Sequence, residues 1–344
     1  MRISSTFLAL AVLAPASVTA WGFYGHKTVA LLASRYLLPD TAVFVRTYLY
    51  KDQSIMDAAV WADRYAHIPL GRYSKTWHYI DAQDNPPDQC GVQYNRDCAI
   101  NGGGCVVSAL VNMTARIQDA DLPWPQRAQA LRFILHFLGD IHQPLHTEHK
   151  LRGGNSIHVK FHHQDTNLHS IWDSRIIEAA RGKPTERGII GFANELQDRI
   201  EGGEYAAFTE HWRGCLNITD AETCSVSWAN DANELICSYV LKDDVEGKEL
   251  SGEYAAGAVP LIEKQVAMAG YRLAGWLNMI VTGTDGLTEA GSLRGYDAGD
   301  LVFSGVKDTI EEEDVEIYKQ MEEAEAQREK EGFQGIRGQY MHMH

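Results

Sequence analysis

Residues 136–146 read His136-Phe137-Leu138-Gly139-Asp140-Ile141-His142-Gln143-Pro144-Leu145-His146. A histidine and an aspartate four residues apart share one face of a helix. Pro144 closes the segment that carries them. The residues around the pair are apolar, so both polar groups are embedded where burial is expected. A buried charge needs a partner or a metal. The same spacing recurs in Leu168-His169-Ser170-Ile171-Trp172-Asp173. One such pair is usually a satisfied polar contact. Two of them in apolar surroundings suggest a helical assembly that presents ligands inward.

Outward from these stretches, apolar residues recur at helical spacing over His26 to Leu38, Ser54 to Tyr65, Arg127 to Leu138, His169 to Ala180, Arg187 to Ile200 and Glu253 to Leu277. The chain is therefore expected to be mainly α. Ser54 ahead of Ile55-Met56-Asp57 has the character of an N-cap. Alternation in Ile157-His158-Val159-Lys160-Phe161 marks one arm of a small β-hairpin. Gly153-Gly154-Asn155 and Gln164-Asp165-Thr166-Asn167 read as turns. The region from Asp81 to Gly104, with Pro86-Pro87 and two cysteines, reads as a pinned loop.

Residues 1–20 combine Arg2, the apolar run Phe7 to Ala14 and small residues ending in Val18-Thr19-Ala20, the form of a cleavable secretory leader. Cleavage after Ala20 would free the α-amine of Trp21, a group that titrates near ~8 and can bind metal. An oxidising export route favours disulfides among Cys90, Cys98, Cys105, Cys215, Cys224 and Cys237 over thiolate ligands. Many connectivities are open. Local pairs Cys98 with Cys105 and Cys215 with Cys224 would leave Cys90 with Cys237 as a long-range staple. Asn112-Met113-Thr114 and Asn217-Ile218-Thr219 are glycosylation sequons consistent with secretion.

The formal net charge is −15, which by itself opposes a basic nucleic-acid groove. From Gly291 onward, however, the chain carries 13 acidic and 6 basic residues, so the body is only mildly acidic. Bound cations would change the local balance further. The expected division is a leader at 1–20, one domain at 21–283 and an acidic tail at 284–344. The 45% apolar content suits a packed core. The apolar stretch Val259 to Ile280 includes Glu263, Lys264 and Arg272, which a lipid-facing span would exclude, so no membrane segment is expected in the mature chain.

His78 lies in Trp77-His78-Tyr79-Ile80-Asp81 and Asp63 in Val60-Trp61-Ala62-Asp63. Together, Trp21, His26, Asp63, His78, His136, Asp140, His146, His169 and Asp173 form a set of imidazoles, carboxylates and one amine that suits zinc. The set is too large for one ion. It suffices for three Zn2+ ions if one carboxylate bridges.

This ordered set resembles the secreted, zinc-dependent, single-strand-specific nuclease and 3′-nucleotidase family. The matching motifs are Trp21-Gly22-Phe23-Tyr24-Gly25-His26, Trp61-Ala62-Asp63, Trp77-His78-Tyr79-Ile80-Asp81, residues 136–146, Gly153-Gly154-Asn155 and residues 166–173. The resemblance runs from Trp21 to about Asn278. It implies a mainly helical, single-domain phospholipase C/nuclease-like fold with three zinc ions. Asp63, His78, His136 and Asp140 would hold one ion; the Trp21 amine and carbonyl, His26 and Asp140 its neighbour; and His146, His169 and Asp173 the third. Asp140 would bridge the close pair.

The same resemblance implies attack by a zinc-bridging hydroxide oriented by Asp63, giving 5′-phosphorylated products from single-stranded DNA and RNA, with 3′-nucleotidase activity. Asp63 and Asp140 are the expected catalytic residues. Tyr79 is the expected stacking platform and Asp81 an acceptor for the base edge. Lys75, Lys150, Arg152 and Lys160 are candidate phosphate contacts. His142 reads as a supporting or core residue, while His67, His149, His158, His162, His163 and His211 read as loop or surface groups. The protein is expected to be a secreted monomer acting on nucleic acids and nucleotides. A zinc-dependent phospholipase C is the alternative enzyme, disfavoured by aspartate rather than glutamate at position 173. A non-catalytic secreted metal-binding protein is the other alternative, disfavoured by the complete ligand set.

Overall fold

The computed structural model describes residues 21–49, 53–99 and 102–287, with a few positions between 316 and 323. The leader and nearly all of the acidic tail lie outside the described residues.

The mainly-α reading holds. Helix Trp124–Asp140 is the central beam, and every residue from Ala130 to Asp140 is buried. A helix that is apolar on nearly all sides belongs in an interior. Full burial of Phe133, Phe137, Leu131 and Leu135 stabilises by roughly 1.5–3 kcal/mol each. Three further helices surround the beam: Val106–Gln118, Phe23–Ser34 and the long Glu253–Thr282. Gly283 closes the last of these in a left-handed conformation at φ 75°.

Near position 60 the expected continuous helix is broken into Ile55–Ala59 and Trp61–Ala66. Ser54 accepts from the Asp57 N–H as an N-cap should. Asp63, one turn inside the second piece, is turned toward the beam's His136, 3.3 Å from its Nε2. Residues 168–181 form one helical passage whose middle, Ile171–Arg175, widens to π geometry. Such bulges recur at functional sites, and this one carries Asp173.

The hairpin pairs β1 (His158–Phe161) with β2 (Gln164–Asn167), in the register His158 with Asn167 and Phe161 with Gln164. The turn reading of 164–167 is therefore corrected: this polar segment is a strand, held by main-chain pairing that its composition does not signal. The turn itself is His162-His163, with φ of 50° and 62°. Two positive φ values suit the tight turn of a two-residue hairpin. Here Glu249 supports them by accepting both N–H groups, at 3.1 and 2.7 Å.

Three disulfides join Cys90 to Cys237, Cys98 to Cys105 and Cys215 to Cys224. The first spans 147 residues and ties the loop after Asp81 to the end of the helical segment at Cys237. Among the described residues, no helix is long and apolar enough to cross a membrane. The sequon residues Asn112 and Asn217 are both exposed.

Candidate metal centre

All eight anticipated ligand side chains converge; the ninth ligand residue, Trp21, was expected to act through its main chain. Their donor atoms fall into three groups: His26 with Asp63 and His136; His78 with His136 and Asp140; and His146 with His169 and Asp173. All eight residues are buried. Trp21 is buried as well, and its carbonyl accepts the His26 N–H at 3.3 Å. The Gly22 N–H donates to the Asp173 carbonyl at 2.8 Å, tying this part of the chain to the third group.

The spacing of the donors is informative. His78 Nδ1 lies 3.0 Å from His136 Nε2, 3.1 Å from Asp140 Oδ2 and 3.6 Å from Asp63 Oδ1. His136 Nε2 lies 3.2 Å from Asp140 Oδ2 and 3.3 Å from Asp63 Oδ1. A tetrahedron with metal bonds of about 2.0–2.2 Å has edges of about 3.3–3.6 Å. The His78, His136 and Asp140 donors at such separations suit one small divalent cation, with Asp63 Oδ1 beside the two imidazoles. The other Asp140 oxygen, Oδ1, lies 3.2 Å from His26 Nε2, so this carboxylate faces two groups at once. In the third group, His169 Nε2 lies 3.2 Å from His146 Nε2 and 3.3 Å from Asp173 Oδ2.

Main-chain carbonyls select the ring tautomers. The Nδ1–H groups of His136, His146 and His169 donate to the carbonyls of Ala59, His78 and Gly153 at 2.7, 2.7 and 2.5 Å. Each Nε2 lone pair is thereby left facing its cluster, the arrangement of a metal-ligating imidazole. Gln143 Nε2 donates to Asp173 Oδ1 at 2.6 Å, while its Oε1 accepts the Leu145 N–H.

Both Asp140 oxygens are buried with no hydrogen-bond donor among the described residues, and neither ring nitrogen of His26 has a hydrogen-bond partner there. An interior carboxylate in this situation calls for a cation. Burial, reinforced by the neighbouring His136, lowers the His26 pKa to about 4. Burial, reinforced by His146, lowers that of His169 to about 3. Both rings are therefore neutral and available as ligands across the ordinary pH range. Burial opposes charge on Asp140, but the surrounding imidazoles hold its carboxyl well below the usual range. Asp173 is pushed well up, by burial first and by Asp63 and Asp140 in addition. A bound cation would relieve that repulsion.

A cleft of about 530 Å3 opens onto this centre. Asp63, His78, His146 and His169 line it, as do Tyr79, Asp81, Lys75 and Arg152. The Tyr79 hydroxyl pKa is raised by burial and by Asp81, with Arg152 opposing. Of the candidate phosphate contacts, Lys75 and Arg152 line this cleft. Lys150 donates instead to the Pro86 carbonyl at 2.8 Å, and Lys160 lies on the exposed hairpin.

Two histidines read as loop or surface groups also belong to the cleft wall: His67, whose Nδ1–H donates to the Asp63 carbonyl at 2.6 Å, and His149. Only the four-residue spacing of His67 from the candidate ligand Asp63 hinted at the first. His149 lies 3.7 Å from Asp81, a proximity that loop geometry creates. His142 is buried between the Leu138 carbonyl and Arg272, at 2.7 and 3.0 Å, in the supporting position expected of it.

Clustered imidazoles and carboxylates beside an open cleft define a metal-assisted hydrolase class of site. The S1/P1 nuclease family model matches residues 21–282, so the chain belongs to that family. It is 40% identical to Nuclease S1 of Aspergillus oryzae (strain ATCC 42149 / RIB 40), over 82% of this chain and 98% of that protein. It is 39% identical to Nuclease P1 of Penicillium citrinum, over 76% of this chain and 97% of the relative. Endonuclease 3 of Arabidopsis thaliana is 33% identical, over 78% and 92%. The protein is a hydrolase acting as a nuclease.

Proposed function

We propose that this nuclease is a secreted, zinc-dependent endonuclease. It cleaves single-stranded DNA and RNA to 5′-phosphorylated products and removes 3′-phosphates from nucleotides. Residues 21–283 would be the working domain, monomeric, released from a leader at 1–20 and followed by an acidic appendage. The observation that carries the reading is the close spacing of the His78, His136 and Asp140 donors, with Asp63 alongside, beside a cleft that holds Tyr79.

Three zinc ions would be held by the Trp21 main chain, His26, Asp63, His78, His136, Asp140, His146, His169 and Asp173. When bound, they supply Lewis acidity and lower the pKa of a ligated water. The protein's own part is positional. Asp63 lines the cleft and would accept a hydrogen bond from the attacking water, orienting it toward phosphorus. Asp140, with both oxygens committed to the cluster, would keep its two sides in register. Tyr79 would stack an unpaired base, and a duplex base could reach that ring only by unstacking. Asp81 would accept from the base edge, and Lys75 would offset phosphate charge.

The test is hydrolysis of single-stranded DNA beside phosphatidylcholine by zinc-loaded protein, with and without chelator, with the phosphorylated end of each fragment identified. Chelator-sensitive 5′-phosphorylated fragments without lipid turnover are expected. Lipid cleavage alone would move the assignment to a phospholipase C. Asp140→Asn is expected to abolish activity. A chain with one extra residue before Trp21 is expected to bind less zinc; full loading and full turnover would refute the amine-ligand assignment.

A further inference from the structure

Leu151-Arg152-Gly153-Gly154 passes through four consecutive positive φ values, 49°, 61°, 58° and 75°. Glycine adopts this conformation readily, whereas leucine and arginine adopt it only where their surroundings impose it. The surroundings here are specific. Gly154 N–H donates to the Lys150 carbonyl at 3.0 Å, and Ser156 N–H to the Leu151 carbonyl at 3.0 Å. Asn155 Nδ2 donates to the Arg152 carbonyl at 2.9 Å, and the Gly153 carbonyl receives His169 Nδ1–H. A Cβ on Gly153 would stand 2.7 Å from the Leu145 carbonyl, so the run is seated against the segment that carries His146.

The outcome of this conformation is the position of one cation. Arg152 lines the same cleft as Tyr79 and Asp81. Its guanidinium has no ion pair or hydrogen bond among the described residues. His149 links Asp81 and Arg152: its Nδ1 lies 3.7 Å from Asp81 Oδ1, and its carbonyl accepts the Arg152 N–H at 2.9 Å. The cleft thus presents a carboxylate acceptor and a forked donor along with the Tyr79 ring.

We propose that Arg152 is a specificity-determining residue that reads the base stacked on Tyr79 and biases the cleft toward guanine. The inference rests on the single-strand nuclease reading and adds the base it favours. Guanine offers O6 and N7 as paired acceptors, which an arginine fork takes bidentately. It also offers N1–H and N2–H as paired donors for a carboxylate such as Asp81. Adenine, with an amino group in place of O6, meets the guanidinium donor to donor. A phosphate contact would instead serve every base equally.

The experiment measures kcat/KM for the dinucleoside monophosphates GpA, ApA, CpA and UpA, together with equilibrium binding of free guanosine and adenosine. Wild-type protein is expected to favour GpA, and Arg152→Ala to lose about tenfold on GpA with less than twofold change on the others. Guanosine binding should weaken in parallel while adenosine binding holds. Arg152→Lys keeps the charge and removes the fork, so it should not restore GpA. A uniform loss on all four substrates, or full rescue by lysine, would make Arg152 a phosphate contact and overturn the proposal. No change in either variant would overturn it too. If wild-type protein cleaves none of the four while guanosine binding still depends on Arg152, the reaction assignment fails and the base-reading role stands.

Discussion

Gly139 and His26 meet where no larger residue could stand: a Cβ on Gly139 would lie 2.6 Å from His26 Nδ1. The imidazole is also stacked on the His136 ring, with centroids 3.9 Å apart. Any shift of the ring would disturb the placement of its Nε2, 3.2 Å from Asp140 Oδ1. Gly139→Ala would ordinarily favour a helix by roughly 1 kcal/mol. Here it is expected to displace His26, lower kcat/KM about a hundredfold and reduce the metal content of purified protein. Elemental analysis beside kinetics checks this, and an unchanged metal count would show that the contact yields elastically.

Gln143 holds Asp173 Oδ1 and the Leu145 N–H from a fully buried position. Gln143→Leu strands both partners at about 1–3 kcal/mol each, so a clear drop in denaturant midpoint is expected. Gln143→Glu keeps the shape but places a second carboxyl against one already pushed upward by burial. Metal affinity at the His146, His169 and Asp173 group should fall about 10–100-fold. Titration against a competing chelator reads that loss.

The Ser251 hydroxyl first, and then the N–H groups of Ser251, His163 and His162, donate to Glu249 and lower its pKa to about 2. A folded-state pKa below the unfolded value of 4.5 means stabilisation that is complete above pH 4.5 and is lost as pH falls through about 2. The amide proton shifts of His162 and His163 should titrate with a midpoint near the lower value. In Glu249→Gln those shifts should lose this titration. A midpoint near 4.5 in the wild type would argue against the carboxylate clamp on the turn.

The disulfides should rank by the loop each closes. Chain-entropy reasoning assigns about 5 kcal/mol to Cys90–Cys237, with its separation of 147, and about 2 kcal/mol to Cys98–Cys105, with 7. Paired serine variants compared by chemical denaturation test the order. A larger loss from the short loop would point to structure retained in the unfolded chain.

Much of the centre was legible because ligands on helices leave a period: His136 with Asp140 and His169 with Asp173 stand out against apolar neighbours. Residues placed by loops leave no such mark. His149 and Arg152 reach the cleft through backbone angles that composition does not reveal, and His67 does so at a helix end. The strand Gln164–Asn167 escaped notice because its pairing is entirely main chain. The π turn at Ile171–Arg175 was equally invisible, since its sequence also fits an ordinary helix.

The carbonyls of Ala59, His78 and Gly153 belong to three separate segments, yet each seats one imidazole of the centre. Ring orientation is thus completed by the folding of the chain itself. A cation reaching these rings would meet lone pairs already turned inward, so its binding would be spared most of the cost of ordering those side chains.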